Sequence, residues 1–204
     1  MFSSPAFQRT MARMKTHRKP LVIAAALALS AMPVRFAVAE SPYNPAINPA
    51  NFLSEVNNPY FTLRPGATYT YKSHGKNGIE FNKVIVTNQT RKVMGVTVRV
   101  VLDRVWLNDR LIEETYDWYA QDKEGNVLYF GEDSKAYRKG RPVSTEGSWE
   151  AGVDGAKPGI VMQAQPRPGV AYRQEYKAGQ AEDMGQVVSL GRASPLRPEP
   201  TGTA

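Results

Sequence analysis

The sequence contains no cysteine, which excludes a disulfide framework, a thiolate zinc site, a cysteine nucleophile and a cysteine-linked lipid anchor. Histidine is nearly as scarce, because there are two and only His74 lies beyond residue 39. With one imidazole and no thiolate, that part of the chain lacks the ligands for a zinc or copper site. Calcium is harder to exclude, because Asp122, Glu124 and Asn126 alternate across one loop, but that loop lacks EF-hand spacing and we interpret it as a tight hairpin. We therefore predict no metal centre and no other cofactor.

The signatures of nucleotide-binding proteins and common hydrolases are also missing. The sequence has no P-loop, no dinucleotide fingerprint, no H-E-x-x-H and no G-x-S-x-G nucleophile elbow. A serine triad would have to use His74, and nothing in the sequence assigns it a partner serine. We interpret His74 as a solvated turn residue and predict no catalytic residues.

Excess positive charge is confined to one end of the chain. The sequence has 26 Lys and Arg against 19 Asp and Glu, a net charge of +7. Six of the basic residues and none of the acidic ones fall in residues 1–39, so the remainder holds 20 basic against 19 acidic residues. Nucleic-acid binding requires concentrated positive charge facing phosphates, so we exclude nucleic acid as a partner.

Residues 1–39 have the composition of a secretory signal peptide. A basic stretch precedes an uninterrupted apolar or small run at 21–32, Pro33 breaks the run, and 37–39 (AVA) supplies small residues for a signal peptidase. As a helix the apolar run spans about 18 Å, well short of the roughly 30 Å hydrocarbon core. We predict cleavage after Ala39, a secreted or periplasmic protein, and no transmembrane span after cleavage.

From residue 67 the sequence changes to short runs rich in β-branched and aromatic residues, separated by turn chemistry. Connections of three to six residues are too short for a crossover helix, so neighbouring strands should be antiparallel. We predict an all-β fold, with a single antiparallel meander forming a strongly curved sheet or half-barrel. The predicted runs are 67–73, 79–88, 96–107, 111–121 and 127–130, with turns at 74–78, 89–92, 108–110 and 122–126.

The flanks of the meander have a different composition. Residues 40–66 are rich in proline and asparagine, which favour irregular backbone, and we interpret them as a lead-in segment. Residues 67–190 form the predicted β domain. Residues 191–204 contain three prolines and no apolar periodicity, so we predict a disordered tail.

Period-two patterning gives each predicted strand two faces. The run at 96–107 is apolar on both, which is typical of a central strand. The run at 111–121 is apolar on the side of Tyr116 and Trp118 only. Its opposite side carries Thr115, Asp117 and Gln121, and we expect that side to meet water.

Three stretches resemble an uncharacterised family of bacterial secreted proteins. Residues 58–71 (NPYFTLRPGATYTY) are similar to a YFPL-x-PG-x-x-W-x-Y opening, and 115–133 (TYDWYAQDKEGNVLYFGED) and 144–162 (STEGSWEAGVDGAKPGIVM) to the family's most recognisable segments. The similarity continues through 167–185 and covers roughly 58–190. It implies a β-rich export product, with a half-barrel like that of lipoprotein carriers, and no particular activity. Relatives continue with further strands, so the resemblance also implies a C-terminally truncated chain.

The export signal, the meander and the missing catalytic motifs together predict a non-catalytic protein. We expect it to bind an apolar or amphipathic ligand, such as a lipid, on an aromatic-lined concave sheet. Beyond residue 39 the chain keeps three Trp, ten Tyr and four of its seven Phe. The predicted lining residues are Tyr69, Tyr71, Trp106, Tyr116, Trp118 and Trp149.

Two alternatives of other classes stay open. A hydrolase of envelope glycans would need two carboxylates at roughly 5–9.5 Å, drawn from Glu113, Asp117, Glu146 and Glu150. Glu113 and Asp117 lie about 13 Å apart along one predicted strand, so a working pair would need a neighbouring strand. The other alternative is an interaction module that offers an exposed edge strand to a protein partner.

Overall fold

The computed structural model describes residues 43–53 and 55–190. It confirms the predicted fold class, because 63% of these described residues are strand and the antiparallel meander curls through 218° into a half-barrel. Within these residues, no helix has the length and apolar character needed to cross a bilayer. The predicted signal peptide with its cleavage site, and the predicted tail at 191–204, lie outside the described residues.

The segment predicted as an irregular lead-in, 40–66, holds ordered structure in its described part. A 3-10 turn at Pro49–Asn51 is capped by the Asn48 side chain, which accepts a hydrogen bond from the Ala50 N–H. Strand β1 (Phe52–Leu53) joins the main sheet, and β2 (Val56–Asn58) and β3 (Phe61–Leu63) form a hairpin. The prolines and asparagines therefore serve caps and turns of short elements that pack on the core.

The meander consists of five long strands joined in sequence order, and shorter strands follow it. The long strands are β4 (Thr68–Gly75), β5 (Gly78–Val93), β6 (Val96–Leu107), β7 (Arg110–Asp122) and β8 (Val127–Arg138). The later strands are β9 (Arg141–Ser144), β10 (Trp149–Glu150), β11 (Lys157–Met162), β12 (Ala171–Arg173), β13 (Glu175–Tyr176) and β14 (Met184–Gln186).

The main sheet has the order β13-β11-β8-β7-β6-β5-β4, so β4 and β13 are its described edges. Strand β1 pairs with β7, and β9 and β10 both pair with β8. The pairs β12–β14 and β2–β3 form separate two-stranded sheets.

The predicted turn at 89–92 is wrong. Strand β5 continues to Val93 and bends at a bulge, where its register with β6 shifts between Val86 and Thr90. The chain reverses instead at Met94 and Gly95, whose φ values of 49° and 78° suit a tight two-residue hairpin turn. The polar residues resemble a turn in sequence because they lie on an exposed part of a long strand.

Cross-strand pairing assigns the side chains of the meander to two faces. One face presents the buried Asn82, Asp103 and Thr115. At the same level, the other face presents the charged and partly exposed Lys83, Arg104 and Glu114. The face with the buried side chains is therefore the inner, concave face of the half-barrel.

The hairpin β2–β3 lies across one end of the inner face. Phe61 contacts Tyr119 of β7 with ring centroids 5.4 Å apart, and the Tyr69 hydroxyl of β4 donates to the Thr62 carbonyl at 3.0 Å. Val56 and Leu63 of the hairpin join the hydrophobic core. This end, which we call the lower part of the half-barrel, is consequently filled by the protein's own side chains.

Gly131 permits a close crossing of β8 and β10 that can be tested. Its φ is 130°, and a Cβ there would lie 2.3 Å from the Trp149 carbonyl oxygen, whereas Gly140 (φ 74°) has nothing within 4 Å. We expect Gly140→Ala to lower the free energy of unfolding by about 1 kcal/mol through backbone strain. Gly131→Ala should cost more than about 3 kcal/mol in urea denaturation, since a core clash is added. Equal losses would contradict the close crossing.

Candidate ligand-binding face

The six predicted lining residues do not share one surface. Tyr69, Tyr71 and Trp149 lie on the inner face. The other three project outward, because Tyr116 and Trp118 pair with the outer-face positions of β6. The outward-facing residues are Trp106, Tyr116 and Trp118.

The three outer aromatic residues have different surroundings. Trp118 is only 6% exposed, and the Arg91 guanidinium lies 3.9 Å from its ring centroid. Arg91 also forms a 2.8 Å ion pair with Glu150, which keeps the guanidinium over the ring. Trp106 and Tyr116 are partly exposed, and Trp106 contacts Phe81. A ligand inside the half-barrel would therefore not reach these three side chains.

The lower inner face is a buried polar and aromatic network. The Tyr129 hydroxyl lies 2.5 Å from Asp117 Oδ1 and 3.0 Å from Glu132 Oε2. The Tyr129 ring stacks on Tyr119 at 4.8 Å and meets the Trp149 ring edge-on at 5.3 Å. Trp149 is 3% exposed and its Nε1–H donates to Glu175 at 3.1 Å, so it is a structural core residue.

The expectation that the polar side of β7 meets water is wrong. Thr115, Asp117 and Gln121 are all buried, because the curvature turns that side inward. Each one is hydrogen bonded: Thr115 with Ser134 at 2.9 Å, Asp117 with Tyr129, and Gln121 Oε1 with two backbone N–H groups of β2 at 2.8 Å. Buried polar groups are tolerated when they are paired in this way.

The carboxylates named for glycan hydrolysis are not brought together. Asp117 belongs to the buried network, Glu150 pairs with Arg91 on the outer side of the sheet, and Glu146 is exposed in the loop after β9. The pair that the sheet does place side by side is Asp117 and Glu132, which face each other across β7 and β8. Both are at most 5% exposed, so a sugar would not reach them.

Above this network lies a more open region, which we call the upper inner face. Its floor is formed by the buried Asn82, Asp103 and Val105. Asn82 pairs across the sheet with Tyr71 on one side and Val105 on the other, and Val105 pairs with Glu113. The partly exposed rim residues are Tyr71, Ser73, Glu80, Leu107 and Glu113.

Asn82 contributes a buried hydrogen-bond acceptor to this region. The side-chain Nδ2 donates to Asp103 Oδ1 and to the Arg104 carbonyl at 3.3 Å. The Oδ1 atom is buried and has no hydrogen-bond partner among the described residues. Since more than 90% of buried polar groups are paired, an amide oxygen in this position is suited to accept a hydrogen bond from a ligand donor.

Tyr71, on the rim, is the cross-strand neighbour of Asn82. Partial burial raises the pKa of Tyr71 above its ordinary value of 10.0, and the neighbouring Tyr69 and Asp103 raise it further. The phenol is therefore neutral at physiological pH and can donate or accept a hydrogen bond. The upper inner face thus combines an aromatic ring, a neutral hydroxyl and carboxylate and amide oxygens.

Neither a group of metal ligands nor a known relative indicates what the upper inner face binds. In the described part of the chain, no group of three or more His, Cys, Asp or Glu side chains is arranged to hold a metal ion. The sequence matches no family model and no curated protein, and the fold matches no solved structure. The resemblance to a secreted family stays a prediction.

The buried network makes a prediction about stability. Tyr129→Phe removes the hydroxyl between two buried carboxyl groups, so we expect the free energy of unfolding to fall by about 1.5–3 kcal/mol. Tyr116→Phe on the outer face should change it by less than about 0.5 kcal/mol. Urea denaturation of both variants measures the difference, and similar small effects would show that the network contributes little to stability.

Proposed function

We propose that the chain is an exported, non-catalytic protein that binds an amphipathic ligand on the upper inner face. The proposal rests on the buried Asn82 Oδ1, which is an acceptor without a partner among the described residues and lies on the concave side of the half-barrel. A ligand with a hydrogen-bond donor at its polar end would satisfy that atom. Export rests on the signal-like composition of residues 1–39.

The electrostatics of the region favour a cationic donor, such as a primary ammonium group. Asp103 lies against Asn82 on the floor, and Glu80 and Glu113 lie on the rim. An ammonium group provides three donors and a charge opposite to these carboxylates. Tyr71 adds an aromatic ring that can contact a cation.

The remaining part of the ligand would contact apolar side chains. Leu107 on the rim is partly exposed, as is Val84, which pairs across the sheet with Tyr69. Tyr69 itself is hydrogen bonded to β3, so its ring is a fixed wall and does not have to be ordered on binding. The ligand class is therefore an amphiphile with a donor-bearing head and a short apolar body.

Isothermal titration with decylamine, decanol and decanoate, each below its critical micelle concentration, tests the proposal. We expect decylamine to bind most tightly and decanoate least tightly. The double variant Glu80→Gln/Glu113→Gln should weaken decylamine binding about tenfold, a change of about 1.4 kcal/mol. Asp133→Asn, an acid on the outer face, is the matched control and should leave the affinity unchanged.

Asn82→Leu tests the acceptor itself, provided that circular dichroism shows a folded sheet. It should weaken decylamine and decanol alike, because both would donate to the Oδ1 atom. Equal affinity for decylamine and decanoate in the wild type, or no loss in the rim double variant, would contradict the proposed site.

A further inference from the structure

The outer face carries an apolar patch at the end of the meander where two hairpin turns meet. Phe81 is 37% exposed and Ile79 is 43% exposed, and both lie on the same side of β5. Trp106 pairs with Phe81 across the strands, with ring centroids 5.7 Å apart. Leu111 of β7 pairs with Trp106 in turn. We call these four residues the outer aromatic tip.

Two hydrogen bonds of the Asn108 side chain join the two turns at the outer aromatic tip. Asn108 Oδ1 accepts a hydrogen bond from the Ile79 N–H at 2.9 Å, and Asn108 Nδ2 donates to the Asn77 carbonyl at 3.0 Å. Gly78 makes room for this contact, since a Cβ there would lie 2.0 Å from Asn108 Oδ1. The exposed rings are therefore presented by a fixed scaffold.

Basic side chains surround the outer aromatic tip. Lys72 is the cross-strand neighbour of Phe81, and Lys83 follows Phe81 on the same side of β5. Arg110, the first residue of β7, is exposed but pairs with Leu107 of the inner face. Arg104 is paired with Glu114 at 2.7 Å, so Lys72 and Lys83 supply the charge available to a partner.

We propose that the outer aromatic tip docks on an anionic phospholipid surface, with Phe81 and Trp106 entering the headgroup region and Lys72 and Lys83 facing the lipid phosphates. Aromatic residues flanked by Lys and Arg are the composition found at membrane interfaces. A juxtaposed basic group adds attraction to anionic lipid. This docking is independent of ligand binding on the inner face.

The size and shape of the patch favour a lipid surface over a protein partner. A stable protein interface buries about 800 Å² on each side, which four side chains at a hairpin end do not provide. A fluid interface needs no complementary groove, and a protruding pair of rings can insert into it. The positive charge of Lys72 and Lys83 beside the outer aromatic tip also favours an anionic surface.

Tryptophan fluorescence tests the proposal on the chain without residues 1–39, since the predicted basic and apolar signal peptide would itself bind anionic vesicles. Trp118 and Trp149 are buried, so a change in emission on binding reports Trp106. With vesicles of equal parts phosphatidylglycerol and phosphatidylcholine we expect a blue shift and co-sedimentation. Pure phosphatidylcholine vesicles should give neither, and raised salt should weaken binding because screening reduces the attraction of the lysines.

Variants separate the contribution of the lysines from that of the aromatic rings. Lys72→Glu/Lys83→Glu should lower the apparent affinity at least tenfold, and Phe81→Ser should reduce it while leaving the salt dependence in place. Lys139→Glu/Arg141→Glu changes two exposed basic residues at the β8–β9 turn and is the control that should bind like the wild type. Far-ultraviolet circular dichroism checks that each variant is folded.

The proposal is overturned by an unchanged Trp106 emission with anionic vesicles, or by equal losses in the tip and control variants. Equal binding to neutral and anionic vesicles also overturns it, because the lysines would then have no part. A chain that ignores vesicles while binding soluble polyglutamate through the tip would assign this surface to an acidic protein instead.

Discussion

The curvature of the sheet determines how every other part of this protein is organised. A meander that turns through 218° encloses one face, so the inner side chains of the central strands leave water whatever their polarity. Aspartate, glutamate, threonine and serine on that face must find partners inside the fold. Tyr129 provides the central one, because its hydroxyl contacts both Asp117 and Glu132.

This requirement divides the inner face into two parts. In the lower part, Tyr119, Tyr129 and Trp149 pack around the paired carboxylates and the β2–β3 hairpin covers them. In the upper part, Asn82 keeps an acceptor without a described partner beneath a partly exposed rim. The same arrangement that stabilises the lower part therefore leaves the upper part suited to a ligand with a donor.

The outer face is basic, and not acidic like the inner face, at the end of the meander where the two hairpin turns meet. Lys72 and Lys83 project there beside the exposed Phe81 and the partly exposed Trp106, whereas the inner face at the same level carries Glu80, Asp103 and Glu113. Strand alternation separates the two sets by a single residue along each strand. One sheet can thus present acidic side chains on its inner face and basic side chains on its outer face without further structure.

The fold class was predictable because the β-rich runs and short turns leave no room for helices, and the turn at Asn108 and Asp109 is visible in the sequence. The face of the sheet on which each aromatic residue lies was not predictable, because it depends on strand register. The turn at Met94 and Gly95 and the bulge between Val86 and Thr90 together set the register in which Asn82 pairs with both Tyr71 and Val105, so Trp106 projects from the face opposite to that of Tyr71.

The burial of the polar side of β7 could not be predicted either. Period-two patterning shows which residues share a face, but it does not show which way the sheet curves. Asp117 and Gln121 look like solvent-facing residues until their partners, Tyr129 and the β2 backbone, are brought in from other segments. Asn82 likewise has no distinguishing sequence signal, because the burial of its Oδ1 without a partner among the described residues depends on the strand pairing.

Native mass spectrometry of the chain, purified from the cells that produce it, shows directly whether the inner face holds a ligand. Ligand binding predicts a narrow charge envelope with extra mass that organic solvent releases as an amphiphile carrying an amine or another hydrogen-bond donor. A narrow envelope at the bare mass, unchanged when decylamine is added in excess, would contradict it.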